Sequence, residues 1–332
     1  MADVARLAGV SHQTVSRVLN NHPNVRPETR ERVLAAIGAL NYRRNALARG
    51  LVRRRSRVLG VVSFDTTLFG PASTLYGIER AARAAGYWVS IATLERIDRA
   101  GVLAAVDKLA EQSVEGVIII APQLAAASAL HSLPAGLPTV AVEAGLDGRT
   151  PVVGVDQVAG ARLAVEHLLG LGHRTVWHIA GPPDWLEAQD RVAGWRAVLR
   201  AAGRPVPPMI TGDWSARSGY AAGKALARRG EVSAVFAAND QMALGLLRAL
   251  HERGVRVPEQ VSVVGFDDIP EAEFLIPPLT TVRQDFDEVG RRSMAALLRL
   301  LDLDDAGEPT EPPVGSVVPT LVRRGSTAPP PE

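Results

Sequence analysis

The 332-residue chain contains no cysteine, which excludes a disulfide framework, thiolate zinc sites, iron-sulfur ligation and cysteine nucleophiles. Such a chain suits a reducing cytoplasm. It also lacks any apolar run near the roughly 18 residues that a membrane span needs. Its first twenty residues carry Asp3, Arg6 and Arg17 where a signal peptide would have an apolar core. A soluble, unexported, cytoplasmic protein with no membrane partner is expected. Lysine is nearly missing as well: Lys108 and Lys224 stand against thirty-five arginines.

What is present is a 47% hydrophobic composition, too apolar for disorder, on a chain too long for one ordinary domain. Two or three globular units follow. The formal net charge of +2 hides a division: residues 1–57 carry +9 and residues 58–332 carry −7. A basic head on an acidic body points to a polyanion partner for the head, because each neutralised phosphate releases counterions.

In the head, Val4, Leu7 and Ala8 recur at helical spacing, Gly9 follows, and a second periodic segment opens at Ser11 with Val15, Val18 and Leu19 inward. Two short helices with a tight turn are implied. Gly9 supplies the permissive backbone, and Ser11 is placed to cap the second helix through an amide near Thr14. Small Ala5 and Ala8 let the helices approach. His12, Gln13 and Arg17 project from the start and outer face of that second helix, with Thr14 and Ser16 beside them. These residue types read base edges or hold phosphate, and recognition helices do so with their N-terminal residues. A third helix is expected from about Glu28 to Leu40, burying Val33, Leu34, Ile37 and Leu40.

Through DVARLAGVSHQTVSRVLN, TRERVLAAIGALNY and NALARGLVRRRSRVLGVV, the chain resembles the LacI/GalR family of bacterial transcription regulators. The resemblance implies that Ser11, His12, Gln13, Thr14, Ser16, Arg17 and Asn20 meet operator DNA. It also implies that a segment matching Asn45 to Val52 folds into a hinge helix on DNA and pairs with its dimer mate in the minor groove. Asn45, Ala48 and Leu51 would be its contacts, with Leu51 the wedge that unstacks a base step. Two departures stand out. The sequence opens on the first helix, where family members carry several residues more, so an upstream start codon is an open alternative; and Arg26 stands where the family often has a capping Ser.

From Val58 onward, short apolar β-rich runs alternate with amphipathic segments: VLGVVSF, YWVSIAT, VEGVIII and LPTVAVE, then RTVWHIA, AVFAAND and SVVGFDD. Continuous apolar strands between helices mean parallel sheets covered on both faces, and two such sets imply two doubly wound lobes. The expected fold class is an all-α helix-turn-helix head with a hinge helix, plus an α/β, type I periplasmic-binding-protein-like body. The expected boundaries are 1–44 for the head, 45–57 for the hinge and linker, and 58–324 for the body. Within the body, an N-lobe of about 58–154 plus 285–312 and a C-lobe of about 155–284 plus 313–324 precede a disordered tail at 325–332.

Ligands of such sheets bind outside the carboxyl ends of the strands. Asp65, Glu143, Asn239-Asp240 and Asp267-Asp268 fall at those ends, Arg191 offers one cation, and Trp214 offers an aromatic face to a sugar ring. Strand-end Asp and Asn also cap following helices, a reading weighed equally for Asn239 and favoured for Asp240 and Asp268. By resemblance, Arg191, Trp214, Asn239, Asp267 and Gln284 would contact a sugar, with Phe286 beside it and Glu143 at a position that carries Asp in a galactoside-binding member. Ile120 and Phe64 stand where that member has polar residues. A β-galactoside is the leading ligand class.

No Gly-x-Ser-x-Gly elbow, phosphate loop or metal array is found; His167, His173 and His178 read as structural, and neither cofactor nor catalysis is expected. Adjacent Asp267 and Asp268 point apart, unlike a glycosidase pair. The chain ends in a Pro-rich stretch too short for a heptad helix, so a homodimer is expected. The expected function is a sugar-responsive repressor. The alternatives are a periplasmic-type sugar-binding protein without DNA function and a corepressor or activator.

Overall fold

The computed structural model describes residues 1–42, 56–94, 98–130, 132–133, 136–143, 150–306 and 315–331. The chain divides into two compact units, Met1–Ser56 and Arg57–Glu332. The expected hinge contacts Asn45, Ala48 and Leu51 lie outside the described residues.

The first unit holds three helices: α1 (Ala2–Ala8), α2 (His12–Leu19) and α3 (Pro27–Ala39). Gly9 ends α1 in the left-handed region at φ 61°, a conformation that glycine adopts without steric cost. The Ser11 hydroxyl accepts a hydrogen bond from the Thr14 amide at 3.2 Å and so caps α2. Arg32 reaches back from α3 and donates to the Ala8 carbonyl at 2.7 Å, satisfying an orphan acceptor at the end of α1. The core differs from the expected one. Val4, Ala5, Ala8, Val15, Val18, Val33 and Ala36 form it, whereas Leu7, Leu34 and Leu40 are 57%, 52% and 43% exposed. Helices of 7, 8 and 13 residues cross so closely that alanines fill the seam, and the larger leucines fall to its margin.

In the second unit, β1 (Val58–Phe64), β2 (Trp88–Leu94), β3 (Gly116–Ile120), β4 (Thr139–Val142) and β5 (Val152–Val153) form a parallel sheet in the order β2-β1-β3-β4-β5. Side chains alternate across it. Leu59, Val61, Ile118, Ile120, Val140 and Val142 pack with helices α4 (Phe69–Ala84) and a long late helix, Phe286–Ala306. Val62, Val117, Ile119 and Ala141 meet α5 (Arg99–Glu111) and α6 (Leu124–Leu130) on the other face. Burial on both faces is why these strands read as unbroken apolar runs.

The second sheet repeats the plan with α7 (Gln157–Gly170), β6 (Trp177–Ala180), α8 (Leu186–Ala201), β7 (Ile210–Thr211), α9 (Ala216–Leu226), β8 (Ala234–Ala237), α10 (Asp240–Glu252), β9 (Ser262–Asp267) and β10 (Thr280–Arg283). The late helix Phe286–Ala306 is α11, and β11 (Thr320–Val322) closes the edge antiparallel to β10. The order is β11-β10-β9-β8-β6-β7. Here Ile179, Val235, Ala237 and Val263 face α9 and α10, and Phe236, Val264, Phe266 and Val282 face α7 and α8.

Three stretches pass between the sheets: Gly154 to Asp156, Gln284 to Asp285, and the approach to β11, where Val317 pairs with Val155. The sheet order reverses beside β1 and again beside β6, which places a ligand crevice at the carboxyl ends of both sets of strands.

The tail expected to be disordered is ordered through residue 331. Ser326 is fully buried; its hydroxyl donates to the Val263 carbonyl and accepts from the Thr280 amide at 2.8 Å. The backbone of Ala328 exchanges hydrogen bonds with the Ser262 hydroxyl. Proline-rich composition removes donors, but the Ser, Thr and Ala carbonyls and hydroxyls still find partners on the sheet edge.

Candidate functional site

On the first unit, His12, Gln13 and Arg17 are exposed on one side of α2, while Val15 and Val18 anchor the other in the core. The Arg17 side chain makes no hydrogen bond or ion pair with the described residues, in contrast to Arg30, which holds Asn21 and His22, and Arg32, which caps α1. Thr14 and Ser16 are half-buried beside them, and Asn20 follows at the end of the helix, its side chain 3.4 Å from the Ser16 hydroxyl. The result is a helix end that presents donors and acceptors outward.

In the second unit, a cavity of about 650 Å³, counting its open mouth, lies among the strand ends. Arg191, Trp214, Asn239 and Asp267, four of the eight expected residues, line it together. Arg191 sits on the inner face of α8 and is 2% exposed. Its Nε donates to Gln157 at 2.9 Å, its Nη2 reaches Glu187 one turn earlier at 3.3 Å, and its guanidinium lies 3.9 Å from the Phe266 ring centroid. Gln157 passes the connection on to Gln284 at 2.9 Å, and Gln284 donates to Asp267 at 2.7 Å. Asp267 and the Arg191 Nη2 are 4.0 Å apart. The four residues make a nearly closed ring of buried polar contacts.

Asn239 does two things. Its Oδ1 accepts from the Met242 amide and caps α10, and its Nδ2 donates to the Trp214 carbonyl at 3.0 Å. Asp240 is structural, held by the Thr281 hydroxyl and the Ile269 amide, and Asp268 pairs with Arg283 and Arg324.

The other expected residues are placed differently. Asp65 does not line the cavity; its carboxylate accepts from the amide and hydroxyl of Thr67 and so closes the turn that puts Thr67 on the wall. Glu143 also stands back, accepting from the Val155 amide at 3.1 Å in the stretch that passes between the sheets. Gln284 and Phe286 border an adjoining open space and reach the cavity at second hand, Gln284 through Asp267 and Phe286 through the Phe69 ring at 5.9 Å. Ile120 is buried in the apolar face of its sheet.

Four of these residues share a backbone feature. Asp65, Glu143, Trp214 and Asp267 have φ values of 33°, 68°, 71° and 111°, a region that non-glycine residues rarely enter. Such strain concentrates at binding sites.

The electrostatics are acidic and desolvated. Burial pushes the Asp267 carboxyl up to about 7 against the pull of Arg191, and burial together with nearby Glu187 raises Glu143 to about 8. Glu187 is raised by burial as well. One guanidinium thus serves several buried carboxyls, and their protons are held more tightly than in water.

Glu187, Gln157 and Trp185 were not foreseen. Glu187 was legible as the residue one helical turn before Arg191, and Trp185 as the residue before that helix. Gln157 carries no sequence signal beyond opening α7.

His167, His173 and His178 bond to Thr327, to Ser233 and Ser262, and to the Phe236 carbonyl. Burial lowers all three, His178 to about 4. Among the described residues no group of three or more acidic or histidine side chains is placed to hold a metal, and no helix is long and apolar enough to cross a membrane.

Comparison with known proteins gives two family matches: bacterial regulatory proteins of the lacI family over residues 1–45, and a periplasmic binding protein-like domain over residues 165–327. The lactose operon repressor of Escherichia coli (strain K12) is 39% identical over 308 residues, covering 90% of this chain and 83% of the repressor. The crystal structure of the lac repressor dimer bound to operator and the anti-inducer ONPF superposes with a TM-score of 0.87 at 36% identity, covering 98% of each chain. A complex of the transcriptional regulator CelR with cellobiose gives 0.70 at 35% identity, again over 98% of each.

Proposed function

The chain belongs to the LacI family of bacterial regulatory proteins, and from that premise we propose that it is a cytoplasmic homodimeric repressor of sugar-utilisation genes. Its DNA-binding unit would present Ser11, His12, Gln13, Thr14, Ser16, Arg17 and Asn20 to the major groove of a pseudopalindromic operator. Protein twofold symmetry dictates half-site symmetry. The hinge residues Asn45, Ala48 and Leu51 would add minor-groove contacts. The relatives are repressors, and the same role without catalysis is the reading here.

The observation that carries the effector half is the meeting of Arg191, Asp267, Asn239 and Trp214 around one cavity at the strand ends. A buried cation, a carboxylate, an amide and an indole face are the groups that recognise a polyhydroxylated ring. The lactose operon repressor and the CelR–cellobiose complex are named for saccharides, and a β-galactoside is the leading ligand. In this reading Glu143, Asp65, Gln284 and Phe286 support the wall. Sugar drawing the lobes together separates the paired hinges and lowers DNA affinity; by linkage, operator must weaken sugar binding by the same factor.

The test is a gel shift on the gene's own upstream DNA with and without galactosides and other sugars. Release by one of them supports the repressor; tightening reverses the sign to corepression; no DNA binding at all leaves only a sugar-binding protein.

A further inference from the structure

The cavity has more aromatic wall than one sugar ring can use. Trp185, just before α8, and Trp214, just before α9, both line it, with ring centroids 5.5 Å apart and planes 71° apart. A pyranose has two faces that are parallel to each other, so one ring cannot lie flat on two indoles at that inclination. Phe64 extends the apolar corner behind Trp185 at 6.2 Å, and Leu68, Phe69 and Pro71 face it from the other lobe. Yet the corner is not simply apolar. Glu187 lines the same wall, where among the described residues Arg191 is the one side chain bonded to its carboxylate, and the buried Trp214 indole N–H has no acceptor among those residues either. An unmet buried donor is costly, and an acceptor brought against it recovers that cost.

We infer that Trp185 and Glu187 build a second subsite that takes the second pyranose ring of a disaccharide, the first ring being held by Arg191 and Asp267. This deepens the proposed sugar response and rests on it. An aryl aglycone would fit the indoles but would bring no hydroxyl to donate to the Glu187 carboxylate, which is why a sugar ring is the occupant the corner fits.

The experiment is titration calorimetry on the full chain with galactose, lactose, nitrophenyl β-galactoside, glucose and cellobiose. One disaccharide should bind about ten-fold tighter than the monosaccharide it contains, a factor worth about 1.4 kcal/mol. Trp185→Ala should cost the disaccharide more than the monosaccharide and so collapse that ratio to near one. Because Trp185 is a packed residue, the isosteric Glu187→Gln serves as the second variant: it should weaken the disaccharide more than the nitrophenyl galactoside. Equal binding of mono- and disaccharide, or equal losses for both in Trp185→Ala, would overturn the second subsite while leaving the sugar response intact. A nitrophenyl gain matching that of lactose, with Glu187→Gln silent, would make the corner an apolar pocket and likewise overturn it. Failure of every sugar to bind would instead remove the effector reading itself.

Discussion

The Arg191 guanidinium donates through Nε to the Gln157 side chain at 2.9 Å, and that single contact ties the cation of α8 to the first residue of α7. Through Gln284 it continues to Asp267, so the cavity's polar groups are held before any ligand arrives. Preorganisation of this kind lowers the ordering cost of binding.

Replacing Arg191 by Met should therefore do double damage. It leaves Glu187 and Asp267 buried without their cation, a loss of about 3–5 kcal/mol for a broken buried pair. Urea unfolding should show the lower stability and calorimetry the loss of sugar affinity; a variant as stable as the parent would show that the carboxyls take up protons and need no counter-charge.

The same carboxyls make stability depend on pH with a definite sign. Asp267 and Glu143 are raised to about 7 and about 8, so the folded chain holds protons that the unfolded chain has already released. Their contribution is fully present below the unfolded carboxylate range and is lost as pH rises through 7 to 8. The lowered histidines act in the opposite direction, but only below about 6.5, where their unfolded forms charge. Between pH 7 and 9 stability should fall, and Glu143→Gln should flatten the slope; urea midpoints that climb across that range would contradict the assignment.

Gly77 and Gly290 mark the tightest crossing in the N-terminal lobe. A Cβ on Gly77 would stand 2.4 Å from the Phe286 carbonyl oxygen, and one on Gly290 would stand 2.2 Å from the Gly77 carbonyl carbon. Gly77→Ala should destabilise by about 1–3 kcal/mol, since backbone cannot yield as a side chain does. Thermal unfolding measures it directly, with Gly38→Ala, which meets nothing within 4 Å, as the control.

On the DNA-binding unit, Gln13→Ala and Arg17→Ala should each weaken specific binding by about 1–3 kcal/mol without lowering stability, because both side chains are exposed. Ser11→Ala should behave differently and lose about 1 kcal/mol of stability with the cap. Comparing melting curves with gel shifts separates the two effects.

Much of the fold was legible because period and punctuation are local. The unbroken runs of β1, β3 and β9, the Gly9 turn and the Ser11 cap depend on neighbours within a few residues. Arg191, Trp214, Asn239 and Asp267 were found because they stand beside strand ends or on the helix between them. Leu7, Leu34 and Leu40 misled because helical spacing identifies a face but not which residue of that face a crossing helix covers. The tail misled because its partners, Val263, Thr280 and Ser262, lie more than forty residues away.

The sequence by itself determined the division into a basic DNA-reading head and an acidic two-lobed body, since charge and hydrophobic period are written along the chain. Only the tertiary structure decided which carboxylates share Arg191, which acid closes a turn instead, and where two tryptophans meet at an angle. Those outcomes depend on directions in space, and Glu187, Asp267 and Trp185 come together only when α8 and the end of β9 are set against the same crevice.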